Sequence, residues 1–178
     1  MLRRRIVRLV KGPPPLEIAI QRGMKVGVNV SVQSDVVFDM SLAWLIEIGD
    51  DVTIAPGAYL LAHDASTKRA LGFTRIGRVT VGRGAFIGAR ALLMPGVTVG
   101  ERAIVAAGAI VVDDVPEGAI VAGNPARVVG EVDEYLERRR RELADAPRWG
   151  AAAGTWPLSA AAREQQRAAL ADRFGFVE

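Results

Sequence analysis

His63 is the one histidine among 178 residues. Imidazole is also the side chain whose ordinary pKa lets it take and return a proton near neutral pH. The sequence around it reads LLAHDASTKRALGFTR, so Asp64 follows directly and two cations, Lys68 and Arg69, come soon after. A base beside Asp64, Lys68 and Arg69 suits proton abstraction from a bound polar acceptor, although solvated loop charges explain those three equally well. Zinc hydratase chemistry needs about three histidine ligands, which one histidine cannot supply. With no cysteine there are no disulfides and no thiolate ligands, and no metal is expected.

The elements that must position His63 are written in a six-residue period. From Val81 the chain reads VGRGAF, IGARAL, LMPGVT, VGERAI, VAAGAI, with Val81, Ile87, Leu93, Val99, Val105 and Val111 in register. Small residues follow the aliphatic (Gly82, Gly88, Gly100, Ala106) and recur four places after it (Ala85, Ala91, Ala103, Ala109). Neither a helix nor an ordinary strand has this period; a parallel β-helix does, with three hexads to a triangular coil. The same phase holds at Val26, Val32 and Phe38, shifts over Met40 to Leu45, resumes at Ile48, Ile54 and Leu60, and breaks from Ser66 to Arg75. The spacing predicts an all-β solenoid over residues 24–130, about five coils and roughly 25 Å long, interrupted by a loop excursion at 64–76. His63 then falls three places after axial Leu60, at an outward-facing corner where the repeat is interrupted, and loops on rigid scaffolds are where function collects.

Either side of the solenoid the pattern changes. Residues 1–23 form a basic arm: over residues 1 to 25 seven Lys or Arg face the single Glu17. Leu2, Ile6, Val7, Leu9 and Val10 can line a short basic helix stopped by Pro13 to Pro15, and peripheral contact with an anionic membrane surface is one reading of it. Arginines interrupt any apolar run and no cleavage site follows, so a signal peptide is not expected and a cytoplasmic home is the default. Residues 131–178 read as C-terminal helices. One runs from about Glu131 to Ala144, with Val132, Tyr135, Leu136 and Leu143 toward one face, and covers the solenoid's open end. A linker carrying Trp156 precedes a last helix from Ser159, a plausible N-cap, to about Phe174. Arg138 to Arg141 have no interleaved aromatics, which argues for a solvated face and against nucleic acid.

Together, IAPGAYLLAHD, the excursion, VGRGAFIGARALLMPGVTVG and VPEGAIVAGNPARVV resemble the hexapeptide-repeat acyltransferases, in particular the sugar and polysaccharide O-acetyltransferases of the maltose and galactoside type. The resemblance covers roughly residues 24 to 130. It implies a left-handed parallel β-helix, a homotrimer with active sites between subunits, and acetyl-CoA as acyl donor. It also implies that Ala89 lies near the thioester, Ala107 and Gly108 along the pantetheine, and Asn124 and Arg127 toward the nucleotide end. His63 becomes the general base, with Asp35, Asp64 and Lys68 as candidate acceptor contacts. The chain departs from the family where Val112 and Asp113 replace a Thr-Lys pair, where Gly130 replaces a basic residue, and where Asp35, Val36 and Val37 stand for an Asn-Phe-Asn run. The expected activity is acetyl transfer from acetyl-CoA to a hydroxyl of a sugar or polysaccharide precursor. The alternatives are N-acetylation of an amino sugar or amino acid, and a non-catalytic β-helix scaffold.

Overall fold

In the computed structural model, which describes residues 15–151 and 158–178, the hexads wind into a three-walled prism. Its first turn is β1 (Lys25–Val26), β2 (Ser31–Val32) and β3 (Val37–Phe38), and its second β4 (Ile46–Ile48), β5 (Thr53–Ile54) and β6 (Tyr59–Leu60). A hairpin of β7 (His63–Asp64) and β8 (Arg75–Ile76) follows, holding the short helix Lys68–Leu71 between its strands. Two more turns are β9 (Val79–Val81), β10 (Phe86–Ile87) and β11 (Leu92–Leu93), then β12 (Thr98–Val99), β13 (Ile104–Val105) and β14 (Ile110–Val111). The ladders are parallel and give three walls: wall A in the order β1-β4-β9-β12, wall B containing β2, β5, β10 and β13, and wall C in the order β3-β6-β11-β14. Wall B continues into β15 (Ala119–Gly123), and β16 (Ala126–Glu131) turns back antiparallel on it. The parallel ladder therefore ends by reversal at Asn124–Pro125, within residues 24–130.

Register stacks the axial side chains in columns. Ile54, Ile87, Val105 and Val121 form one, and Phe38, Leu60, Leu93 and Val111 another. All are buried, as are Ile48, Val81 and Val99. The residue four after each aliphatic also points inward: Val52, Ala58, Ala85, Ala91, Val97, Ala103 and Ala109 are at most 2% exposed. The glycine directly after the aliphatic has another role from the one its size suggests. It packs against the next coil, since a Cβ on Gly88 would lie 2.5 Å from the Ala107 nitrogen and one on Gly82 2.7 Å from that of Glu101. The turn itself falls two residues later, where φ is positive at Asn29, Asp35, Asp51, Gly57, Gly84, Arg90, Gly96, Arg102 and Gly108. Glycine, Asn and Asp visit that region readily, while Arg90 and Arg102 are held there by the coil.

Part of the predicted basic arm is structural. Residues Pro15–Gln21 form helix α1, whose Ala19 is fully buried with the first coils while Leu16 packs on the same core. The rest of the predicted arm, with Leu2 to Val10 and Pro13 and Pro14, lies outside the described residues, as does Trp156. The phase shift at Met40 to Leu45 is a 3-10 turn at Ala43–Leu45.

The chain divides after Val132. The second unit carries helix α3 (Val132–Asp145), helix α4 (Ala160–Ala169), and a parallel pair that the sequence reading did not foresee, β17 (Arg148–Trp149) and β18 (Phe176–Val177). Ser159 caps α4 by accepting from the Ala162 N–H at 3.1 Å, and the helix ends short of the predicted Phe174. On α3 the sheltered positions are Val132, Tyr135, Arg139 and Leu143, whereas Leu136 is exposed. The aliphatic stem of Arg139 takes the place expected for Leu136, with its guanidinium 5.2 Å from the Tyr135 ring centroid. Arg140 and Arg141 pair with Glu137 and Arg139 with Glu142 along the helix surface, as a solvated face should. Among the described residues no helix is long and apolar enough to cross a membrane.

Ile87 is fully buried between Ile54 and Val105. Ile87→Asp should abolish cooperative folding, because an unpaired carboxylate there costs several kcal/mol, whereas Ile87→Val should lower stability by only about 1 kcal/mol. Urea denaturation followed by circular dichroism separates the two, and a stably folded Ile87→Asp protein would overturn the axial assignment.

Candidate active site

Within the first three turns, two axial positions lack the positive-φ corner three residues on: Phe38 and Leu60. Both lie on wall C, and after each the chain leaves the repeat before entering wall A. These two departures meet. His63, on β7, directs Nδ1 to the Oδ2 atom of Asp39 in a short hydrogen bond. Asp39 is the one buried charged residue among those described, and the Ala62 N–H reaches its Oδ2 at 3.1 Å while the Ser41 N–H reaches Oδ1 at 3.2 Å. A carboxylate already accepting from two backbone donors is completed by a third, so the ring supplies Nδ1–H, which in a neutral imidazole leaves the lone pair on Nε2. The His63 side chain remains 38% exposed against 2% for Asp39, which leaves the imidazole within reach of a second molecule.

His63 thus sits in a hairpin strand facing a buried acid, not on a regular outward corner. Opposite it in the antiparallel pair is Ile76, and Asp64 pairs with Arg75. Among the predicted acceptor contacts, Asp64 is next to His63, but its carboxylate accepts from the Ser66 N–H at 2.9 Å. That bond, then the Ser66 side chain and the charges of Arg75 and His63, hold its pKa below the ordinary 3.8. Lys68 opens the short hairpin helix and is exposed. Asp35 is elsewhere, on the corner between β2 and β3, where it lines a shallow cleft with Pro15, Leu16 and Phe38.

The residues implied for the donor converge on a different edge, the corner between walls B and C. Ala89, Ala107 and Gly123 stand at equivalent positions after Ile87, Val105 and Val121, which register stacks one coil apart. Gly108 and Asn124 follow on the same edge, and the Gly108 N–H donates to the Ala89 carbonyl at 2.8 Å. The amide N–H groups of Ala89 and Ala107 donate to no acceptor among the described residues. A Cβ added at Gly108 would meet nothing within 4 Å. The edge therefore offers small side chains, free space and backbone donors, a fitting surface for a long, thin ligand. Arg127 differs from the other four. Its guanidinium pairs with Asp113 at 3.3 Å and its Nη1 also donates to the Ala126 carbonyl at 2.8 Å.

The site residue that sequence reading passed over is Asp39. Its signal was present: it occupies the post-axial position after Phe38, where a charged side chain is out of place against the next coil.

The three-walled hexapeptide solenoid with its interrupted corner has counterparts in both sequence and fold. The bacterial transferase hexapeptide family, with its six repeats, matches residues 78–113. YvoF of Bacillus subtilis (strain 168), whose name is provisionally that of an acetyltransferase, is 36% identical over 118 residues, covering 66% of this chain and 66% of YvoF. The hexapeptide-repeat acetyltransferase VCA0836 of Vibrio cholerae O1 biovar eltor, complexed with acetyl coenzyme A, superposes with a TM-score of 0.56 at 28% identity over 62% of this chain and 61% of that one. A galactoside acetyltransferase in complex with coenzyme A gives a TM-score of 0.55 at 27% identity over 72% of this chain and 76% of its own. The chain belongs to the hexapeptide-repeat acyltransferase family, and these neighbours imply the left-handed sense of its coil. Its matched stretch spans between about half and just under two thirds of the length of the curated relatives.

Asp64 has a lowered folded-state pKa, so its bond to Ser66 supports the loop above the unfolded value and that support is lost as pH falls through the folded one. A carbon-detected NMR titration should place the Asp64 midpoint below 3.8, and Ser66→Pro, which deletes the N–H, should move it back up. A wild-type midpoint at or above 3.8 would contradict the assignment.

Proposed function

We propose that the protein moves an acetyl group from acetyl-CoA to a hydroxyl of a sugar or polysaccharide precursor, with His63 as general base. The observation that carries this is the bond from His63 to buried Asp39. It fixes the tautomer with Nε2 free, and a neutral Nε2 is what an acceptor hydroxyl of high pKa needs as it attacks a thioester. His63 takes the hydroxyl proton as the new C–O bond forms. It returns that proton to the departing thiolate when the C–S bond breaks, so the base is regenerated within one cycle. The unengaged N–H of Ala89 is suited to the oxyanion that develops on the thioester carbonyl. Likeness to a galactoside acetyltransferase bound to coenzyme A supports both the donor and the acceptor class.

Within one chain, His63 lies on the corner between walls C and A, while Ala89 lies on the corner between walls B and C. A wall of about five extended residues separates these corners, roughly 15 Å at the rise of a strand. A base cannot reach across that distance, so the site needs the His63 corner of one subunit beside the Ala89 edge of another. The outward positions support such an assembly. Wall C presents Val37, Tyr59, Leu92 and Ile110 in one ladder, and wall B presents Ser31 and Thr53 followed by Phe86, Ile104 and Ile120, whereas wall A presents Lys25, Glu47, Thr80 and Thr98. One apolar wall, one that is apolar over its later turns and one polar wall suit a closed ring in which different faces meet, and a homotrimer is the reading they favour.

His63→Ala should lower kcat by about 10²- to 10⁴-fold with little change in acetyl-CoA affinity, and Asp39→Asn should lower kcat with the affinity likewise kept. Thiol release from acetyl-CoA across a panel of sugars, amino sugars and glycans supplies the assay. An unaltered kcat in His63→Ala on a true acceptor would remove the residue from the mechanism. Sedimentation should give a trimer, and a fully active monomer at assay concentration would refute the shared site.

A further inference from the structure

The described groups at the end of the prism, where Arg127 reaches from beyond Asn124 to the turn after Val111, carry an unfavourable charge for a phosphorylated ligand. Beyond Asn124 the exposed cation is Arg127, and near it stand two carboxylates, Asp113 and Asp114, around a cleft floored by Val111, Val115 and Val121. Asp114 is turned to the coil, accepting from the Thr98 N–H at 2.7 Å. Asp113 is not: its carboxylate holds the Arg127 guanidinium across the end of the prism, and both side chains are well exposed, at 63% for Arg127 and 75% for Asp113. A guanidinium in this pair meets an incoming phosphate only by leaving Asp113, and the freed carboxylate then stands beside the phosphate and repels it.

We infer that Asp113 is an affinity-setting residue for the donor: by occupying Arg127 it keeps the phosphates of CoA weakly held, so that recognition rests on the pantetheine along Ala89, Ala107 and Gly108. The inference rests on the proposed use of acetyl-CoA. It adds a determinant that a general fit to the family does not contain, because Asp113 acts against the ligand. An exposed pair of this kind is worth little in water, which sets the size of the effect and makes it dependent on salt.

The test is calorimetric titration of CoA into the full chain carrying Asp113→Asn, Arg127→Ala, or both, at low and high salt. Asp113→Asn should tighten CoA binding by about two- to fivefold at low salt, with the gain fading as salt is raised. In the unsubstituted protein Arg127→Ala should change affinity by less than about twofold, and in the double variant the gain should vanish. Pantetheine, which lacks the phosphates, should bind wild type and Asp113→Asn alike. Unchanged CoA affinity in Asp113→Asn overturns the inference and leaves the acetyl-CoA reading intact. A gain that survives in the double variant also overturns it, since removal of a negative charge would then be acting without Arg127. Failure of every form, wild type included, to bind CoA or pantetheine overturns the donor assignment itself.

Discussion

The constraint on which everything else depends is the backbone corner. An axial aliphatic is characteristically followed three residues later by a positive φ, which turns the chain in time for the next axial side chain to stack on its column. Nine corners obey this, two of them occupied by arginine, a residue with no intrinsic taste for that conformation. Arg90 and Arg102 are held there by hydrogen bonds between coils: the Arg90 N–H donates to the Pro56 carbonyl at 3.0 Å and the Arg102 N–H to the Arg83 carbonyl at 2.8 Å. Stacked aliphatics and ladder bonds thus outweigh local preference, which is why a sequence with ordinary composition forms so regular an object.

Such regularity makes its failures informative. After Phe38 and after Leu60 the corner is missing, and the chain is released from wall C at the same edge in adjacent turns. One release places Asp39 against the coil, and the other launches the hairpin that begins with His63. Because Phe38 and Leu60 are in register, the acid and the imidazole that follow them are brought together by the ladder itself. Positioning by a packed ladder is rigid, which suits the proton transfer proposed for His63, a step sensitive to small displacements.

The period of six made the solenoid, its axial core and the place of the excursion legible, since each depends on a short-range pattern repeated many times. The capping of α4 by Ser159 was legible for the same reason. What sequence could not show were contacts between residues far apart that no period links. Asp39 and His63 are 24 residues apart and obey no common motif, so the acid looked like one more charge at a phase shift. Arg127 and Asp113 are 14 apart, and their pairing arises only because β16 reverses over the end of the prism. The role of the post-axial glycines was hidden in a similar way. Their size was evident, but whether smallness served a turn or a close approach depended on the neighbouring coil.

Asp39 also shows how a solenoid accommodates a buried charge. Removing a carboxylate from water is costly unless hydrogen bonds replace its hydration. Here the replacements are two backbone N–H groups where the repeat breaks, those of Ser41 and Ala62, together with the His63 ring. Within an unbroken hexad the amide at the Ser41 position donates to the neighbouring coil, as those of Arg90 and Gly108 do, whereas the one at the Ala62 position is left over, as at Ala89 and Ala107. The interruption therefore releases one donor and brings the acid to the other, and the acid in turn fixes the imidazole. An insertion that merely added a loop elsewhere on the coil would provide neither. The same break that disturbs the fold is what holds the imidazole in place.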